Sequence, residues 1–269
     1  MIETEVKEML RPRLRSLSNL TALVTGASSG IGLAIAVKLA VEGCHLNLVA
    51  RRTPRLEELK RELLKLNPGL KIRIFPLDLT APKTIALLKA EKAFEVDIVI
   101  NNAGLARGLS SIINSNDSDW NEMLKTNVTA AFQISKESAI AMAKANGGDI
   151  VAVSSIAAHF CYENGAVYCA TKHAFRAFHE TLRLETLDQN IRVMMFSPGM
   201  VETEFSLVRF NGDSQKAKKV YDGVEALNGG DVADSVVFAL KQSRHINIDE
   251  LVIKPRQQGN PWKVHRNHI

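Results

Sequence analysis

Tyr168 and Lys172, in Tyr168-Cys169-Ala170-Thr171-Lys172, fall in a stretch of helical period. A spacing of four puts the phenol and the ammonium on one helix face, one turn apart. A phenol near its free pKa of roughly 10 is a poor base at neutral pH. A neighbouring positive charge stabilises the phenolate and lowers that pKa, which makes the pair a candidate proton donor and acceptor. Such pairs also arise by chance on amphipathic helices, so this one gains meaning only from its surroundings. Upstream, Ser154-Ser155 close the apolar run Asp149–Val153. A serine at the carboxyl end of a strand faces the crevice where open α/β sheets bind ligands, and there it can hydrogen-bond a carbonyl. The plainer reading of either serine is a strand-terminating turn residue.

A second group of residues suits phosphates. The run Thr21–Thr25 leads into Gly26-Ala27-Ser28-Ser29-Gly30-Ile31-Gly32, and a helical pattern follows. Glycines let the backbone turn tightly and approach a pyrophosphate, and the helix N-terminus offers free N–H groups and positive potential. The strand–turn–helix setting favours dinucleotide binding over a simple tight turn. The next apolar run ends Leu48-Val49-Ala50-Arg51-Arg52, where an NAD site would place an acid for the ribose 2′-hydroxyl. Guanidinium groups bind a 2′-phosphate, so the expected cofactor is NADP, with Arg51 the first candidate and Arg52 the second.

Positioning these groups requires a sheet. Continuous Val/Ile/Leu runs mark expected strands at Thr21–Thr25, His45–Ala50, Lys71–Pro76, Asp97–Asn101, Asp149–Ser154, Ile191–Ser197 and Leu251–Lys254. Helical periods lie between them, at Ile31–Glu42, Arg55–Leu66, Trp120–Ala145, Ala166–Asp188 and Val232–Leu240. Alternating β and α segments with strands buried on both faces define the fold class α/β, a doubly wound parallel sheet of the Rossmann type with about seven strands. Residues 1–18 read as an extension, 19–254 as one domain and 255–269 as an irregular tail.

Bulk properties exclude several other roles. The 269 residues carry a net charge of +5 with 23% charged residues. The basic residues are scattered and form no recognition motif, so no nucleic-acid partner is expected. No apolar run reaches the roughly 18 residues of a membrane span, and the first twenty residues mix acids with bases, unlike a secretory signal. Three cysteines without C-x-x-C spacing point to reduced thiols, a cytoplasmic setting and no metal site.

Together, Thr25–Gly32, Asn101-Asn102-Ala103-Gly104, Asn127, Ser155, Tyr168-x-x-x-Lys172 and Pro198-Gly199 resemble, in order and spacing, the short-chain dehydrogenase/reductase family, over about residues 20–255. The resemblance implies that Ser155 orients a substrate carbonyl and Tyr168 exchanges its proton. It implies that Lys172 lowers the tyrosine pKa and holds the nicotinamide ribose, while Asn127 positions a proton-relaying water. Asp78 matches the adenine contact, and Asn102, Ala103 and Gly104 lie beside the adenosine ribose. Pro198, Gly199, Val201 and Thr203 belong to the loop that holds the nicotinamide carboxamide.

The segment Val201–Phe210, with Lys216–Tyr221 downstream, is similar to the NADP-dependent 3-hydroxy acid dehydrogenase subgroup, whose members oxidise serine, allo-threonine and related acids and reduce malonic semialdehyde. There the family places a substrate lid, at about 202–228 in this chain. Such substrates carry a carboxylate, for which Arg209 is the candidate cation and Arg107 its rival. His159 reads as a solvated loop residue. A bulky ketone or thioester would want an apolar lid instead, and a non-catalytic nucleotide sensor would lack the Tyr or the Lys. The resemblance further implies a homo-oligomer, tetramer or dimer, packed through the long helices.

Overall fold

A computed structural model describes Ile2, Val6 and residues 14–267. Seven strands form one parallel sheet: β1 (Thr21–Thr25), β2 (His45–Ala50), β3 (Ile72–Pro76), β4 (Ile98–Asn101), β5 (Gly148–Val153), β6 (Ile191–Pro198) and β7 (Glu250–Ile253). Their order across the sheet is β3-β2-β1-β4-β5-β6-β7. The chain moves outward from β1 to β3, then returns to β4 on the other side of β1. This reversal opens a crevice at the carboxyl ends of β1 and β4, where doubly wound sheets bind ligands.

The strands lack polar alternation because both faces are covered. In β1, Ala22 and Val24 point into one core cluster and Leu23 into the other; in β4, Ile98 and Ile100 oppose Val99 in the same way. The period of two therefore distributes apolar side chains between two buried layers. One layer is closed by α1 (Gly30–Val41), α2 (Thr53–Leu66) and α9 (Gly229–Leu240), through Ile35, Leu39, Leu56, Leu63 and Val236. The other is closed by α3 (Thr84–Ala90), α5 (Ala131–Lys144) and α6 (Ala166–Glu185), through Leu88, Ile134, Met142 and Leu182. The α9 start is fixed by a capping box, in which Asn228 accepts from the Asp231 N–H and Asp231 accepts from the Asn228 N–H.

The expected long helix Trp120–Ala145 runs without a break from Asp117 to Lys144, but not as one regular α-helix. It divides into α4 (Asp117–Leu124), a π-helical turn over Lys125–Ala130, and α5. The side-chain periodicity alone did not reveal the extra residue of a π turn, because its cause is tertiary: Asn127 is drawn out of helical register to bond a distant loop. The short helices α3, α7 (Glu204–Arg209) and α8 (Ser214–Lys219) carry too few turns to show a period. Of the N-terminal extension, most lies outside the described residues, but Arg15 pairs with buried Asp149 and Leu17 is fully buried.

Candidate active site

The crevice holds a cleft of about 1280 Å³, bounded by the β1–α1 turn, the ends of β2, β4, β5 and β6, the lid helix α7 and the tail. At its floor, Thr25 ties two loops together. Its hydroxyl donates to the Ile100 carbonyl and accepts from the N–H groups of Asn102 and Ala103, each at 3.0 Å. The Asn102 amide returns a bond to the Thr25 carbonyl at 2.9 Å. Thr25 opens the glycine motif but was not singled out from sequence as a site residue. A small buried hydroxyl between a Gly-turn strand and an Asn-Asn loop was the available signal.

The cradle is shaped by missing side chains. A Cβ on Gly32 would sit 2.5 Å from the Gly26 carbonyl oxygen, and one on Gly30, whose φ is 55°, would meet Thr203 at 3.2 Å. Ser29 starts α1 in extended backbone without a side-chain cap, so the first-turn N–H groups of Gly30, Ile31 and Gly32 remain available to an anion. A Cβ on Gly104 would stand 3.3 Å from Asn127 Oδ1 and 3.6 Å from Lys172 Nζ, so the glycine keeps a space open beside both. Buried Ser154 Oγ, also in the cleft wall, has no partner among the described residues. The open helix N-terminus, the glycine-lined space and the unpaired hydroxyl fit an adenine dinucleotide.

Arg51 and Arg52 both line the cleft but diverge. Arg52 donates to the Ser28 hydroxyl at 3.1 and 3.2 Å, whereas Arg51 lies near Asp78. Burial would raise the Asp78 carboxyl, but bonds from the Thr80 N–H and hydroxyl and the Arg51 charge hold it below its usual range.

The groups expected to handle the proton converge from three elements. Ser155 caps the 3₁₀ turn that follows β5, and its hydroxyl accepts from the Ala157 N–H at 3.1 Å. Tyr168 and Lys172 come from the buried face of α6. Burial pushes the Tyr168 phenol well above its usual pKa, Tyr162 adds to this, and Arg209 and a hydrogen bond with Ser155 pull it back. Burial also brings Lys172 down to about 8; its Nζ donates to the Val153 carbonyl at 3.3 Å and lies 5.9 Å from the Tyr168 ring centroid. Asn127, in the π turn, accepts from the Leu105 N–H at 2.9 Å and donates to the Leu105 carbonyl and Thr171 hydroxyl. π turns frequently mark functional positions, and this one fixes Asn127 beside Lys172.

The substrate end separates the two rival cations. Arg107 is held by Glu122 at 2.7 and 2.9 Å and donates to the Val208 carbonyl and Asn211, bracing the lid from behind. Arg209 faces the cleft: its guanidinium carbon stands 5.1 Å from the Tyr168 ring centroid, and Nη2 donates to the Tyr162 hydroxyl at 3.2 Å. Arg209 Nε is buried without a partner among the described residues. Tyr162, unassigned from sequence, is seated on Gly165, where a Cβ would come 2.2 Å from its ring.

His159 is only partly solvated. It bonds Glu250 on β7, which also accepts from Ser197 at 2.6 Å, because the turn after β5 folds back onto the sheet edge.

The segment expected to be a lid is anchored at both ends. Thr203 Oγ1 accepts from the Phe205 N–H to begin α7, and the Tyr221 hydroxyl reaches both Ser206 and the Val201 carbonyl. The tail is irregular yet part of the site. Gln258 accepts from the Met200 N–H at 2.8 Å, behind Pro198 and Gly199, while Trp262 packs edge-on against Phe160. Among the described residues no group of His, Cys, Asp and Glu is placed to hold a metal.

A parallel sheet with a phosphate-type turn at its switch point and a Ser–Tyr–Lys–Asn constellation at the same crevice defines a nucleotide-dependent dehydrogenase. A family model described as short chain dehydrogenase matches residues 20–212, and the chain belongs to that family. The chain is 40% identical over 257 residues to an NADP-dependent 3-hydroxy acid dehydrogenase of Schizosaccharomyces pombe, covering 93% of this chain and 98% of that one. A serine 3-dehydrogenase of Agrobacterium fabrum is 36% identical over 239 residues, covering 89% and 95%. The closed form of serine dehydrogenase complexed with NADP+ superimposes with a TM-score of 0.85 at 34% identity, over 92% of this chain and 100% of that one.

Proposed function

We infer that this protein is an NADP-dependent oxidoreductase that interconverts a small 3-hydroxy acid, of the serine, allo-threonine or 3-hydroxypropionate type, and its 3-oxo acid. The carrying observation is Arg209: a guanidinium with an unpaired buried N–H, set over the ring of the proton-transferring tyrosine. A cation at that distance from the reacting centre suits a substrate whose carboxylate lies close to its hydroxyl. The names of the relatives point the same way. A bulky apolar ketone would leave this partly buried charge without an anionic partner, which disfavours the alternative reading.

Bound nicotinamide supplies or accepts the hydride at the substrate carbon. Ser155 Oγ orients the substrate oxygen, and Tyr168 Oη gives that oxygen its proton in reduction and takes it back in oxidation. A phenol raised by burial holds its proton well, which suits the acid of the reductive direction. In oxidation, with Arg209 engaged by the substrate carboxylate, the Lys172 charge would stabilise the phenolate. Asn127 holds the Leu105 loop and the Thr171 hydroxyl in place around Lys172. Arg51 and Arg52 would meet the 2′-phosphate, Asp78 the adenine, Asn102, Ala103 and Gly104 the adenosine ribose, and Pro198 to Thr203 the carboxamide.

The proposal extends to assembly and setting. Leu124, Ile140 and Leu184 are exposed apolar residues along α4 to α6, which supports a homo-oligomer, tetramer or dimer, closed through those helices. Cys44 and Cys169 are buried free thiols, in keeping with a cytoplasmic protein. No helix among the described residues is long and apolar enough to cross a membrane.

The test is a set of initial rates under NADP+ with serine, allo-threonine, 3-hydroxypropionate and 3-hydroxyisobutyrate, each beside its neutral alcohol, for the native enzyme and Arg209→Met. Methionine keeps much of the stem and removes the charge. Acids should lose about 1.5–3 kcal/mol, or roughly ten- to a hundredfold in kcat/KM, while neutral alcohols change little. Equal losses for acids and alcohols would reduce Arg209 to a support of the lid.

A further inference from the structure

At the adenosine end of the cleft, a carboxylate of the lid holds two arginines. Arg52 Nη1 donates to Glu204 Oε2 at 2.8 Å, and Arg55 Nη1 donates to Glu204 Oε1 at 2.6 Å. One carboxylate thus joins the start of α2 to the first turn of α7. The rest of the Arg52 guanidinium grips the phosphate turn, with Nε and Nη2 on the Ser28 hydroxyl and Nη2 on the Ser28 carbonyl at 3.3 Å. The trio sits at the rim, where Arg52, Arg55 and Glu204 side chains are 42%, 49% and 35% exposed, so a ligand can reach it. Arg55 entered the site only through folding: it lies on a helix and carries no motif of its own.

We propose that Glu204 is a cofactor-selectivity residue, occupying on Arg52 and Arg55 the place that the 2′-phosphate of NADP takes, so that phosphate and lid carboxylate compete for the same two guanidinium groups. The inference rests on the cofactor reading above. A phosphate monoester carries about −1.5 to −2 charges at neutral pH, and a carboxylate held on Arg52 and Arg55 cancels part of the positive charge that these two and Arg51 offer it. With Glu204 in place, the trio offers a net single positive charge and presents a carboxylate to the incoming dianion. NAD has a hydroxyl at that carbon and pays no such penalty.

Competition of this kind is reciprocal. Whatever Glu204 costs NADP in affinity, bound NADP returns by releasing Glu204 from the arginines. Glu204 opens α7 and Arg209 closes it, with Thr203 packed against Gly30. The phosphate therefore frees the first turn of the helix whose last turn carries the substrate cation, so cofactor binding and adjustment of that helix are coupled.

The experiment measures Kd for NADPH and for NADH, by nucleotide fluorescence, on the intact native protein and on Glu204→Gln. Glutamine keeps the shape and removes the charge. NADPH should bind about three- to tenfold tighter, the size expected from removing two exposed ion pairs, with NADH unchanged. The gain should shrink at high salt, since screening weakens rim charges. Arg55→Met should weaken NADPH by a similar factor and spare NADH. Weaker NADPH binding in Glu204→Gln would overturn the proposal, because Glu204 would then organise the arginines rather than compete for them. So would equal shifts for both nucleotides, or no shift. Failure of the cofactor reading is separately visible, as equal NADPH and NADH affinities in the native protein.

Discussion

Tyr168 sits in an electrostatic balance that its neighbours set from opposite directions. Burial and Tyr162 raise its pKa, whereas Arg209 and Ser155 lower it. In the free protein, then, the cation acting most directly on the phenol is Arg209, with Lys172 farther along the ring face. Substrate carboxylate would neutralise Arg209, which leaves Lys172 as the charge that stabilises phenolate during turnover. Tyr168→Phe removes the hydroxyl, and with it the transferable proton, and keeps the ring against Phe205 and Arg209. Turnover should fall by about 10²–10⁴, the range for general acid–base catalysis, while NADPH titrates with near-native affinity. A phenylalanine variant that keeps a substantial fraction of the native rate would remove Tyr168 from the role of acid/base.

Elements decide what the residues can reach. The π turn at Lys125–Ala130 lets Asn127 leave the helix surface and bond Leu105 twice, which fixes the Asn102–Leu105 loop against α6. The lid depends on a second brace, in which Arg107 links Glu122 of α4 to the Val208 carbonyl, and the Gly108 N–H meets the Arg209 carbonyl at 2.9 Å. Arg107 thus acts on the last turn of α7 from outside the cleft. Arg107→Met should lower kcat/KM about tenfold, the value of a hydrogen bond to a charged group, and to the same extent for acids and neutral alcohols. Measuring both substrate types separates this from Arg209→Met, since a loss confined to acids would make Arg107 a substrate ligand.

Across the whole molecule, besides Lys172 at the site, two buried polar clusters among the described residues lie away from Tyr168, one ionic and one neutral. Asp149, fully buried, meets Arg15, Arg192 and Arg244 at 2.5–2.7 Å and ties the segment before β1 to β5, β6 and the turn after α9. His179, on α6 beneath the sheet, is held neutral by burial, its pKa lowered to about 4 from 6.5. Its ring nitrogens pair with the Phe175 carbonyl and the Ser135 hydroxyl, and Asn101 bonds the same hydroxyl. The unfolded chain therefore takes up a proton between about pH 6.5 and 4 that the folded protein refuses. Stability from this residue is complete above pH 6.5 and is lost as pH falls toward 4, by about 3 kcal/mol at most. Denaturant unfolding across pH 4–8 should show this slope in the native protein and a flatter one in His179→Asn. Parallel pH profiles for the two would exclude His179 as the source.

Local chemistry made several features legible in the chain itself. A buried parallel sheet demands unbroken apolar runs, so the strands were readable within a residue or so at each end. The turn Gly26–Gly32 and the Tyr168–Lys172 spacing are set by contacts within one turn of helix. Other features arise only when distant segments meet. No local signal separates Arg107 from Arg209, and it is the position of Glu122 on α4 that occupies one and leaves the other facing the cleft. His159 is drawn from solvent by Glu250, ninety-one residues away. Asn127 leaves helical register for Leu105, and Arg55 joins Arg52 only because α7 brings Glu204 across to both. Sequence periodicity records which side of an element is buried, whereas pairing of single polar groups depends on which elements the fold sets side by side.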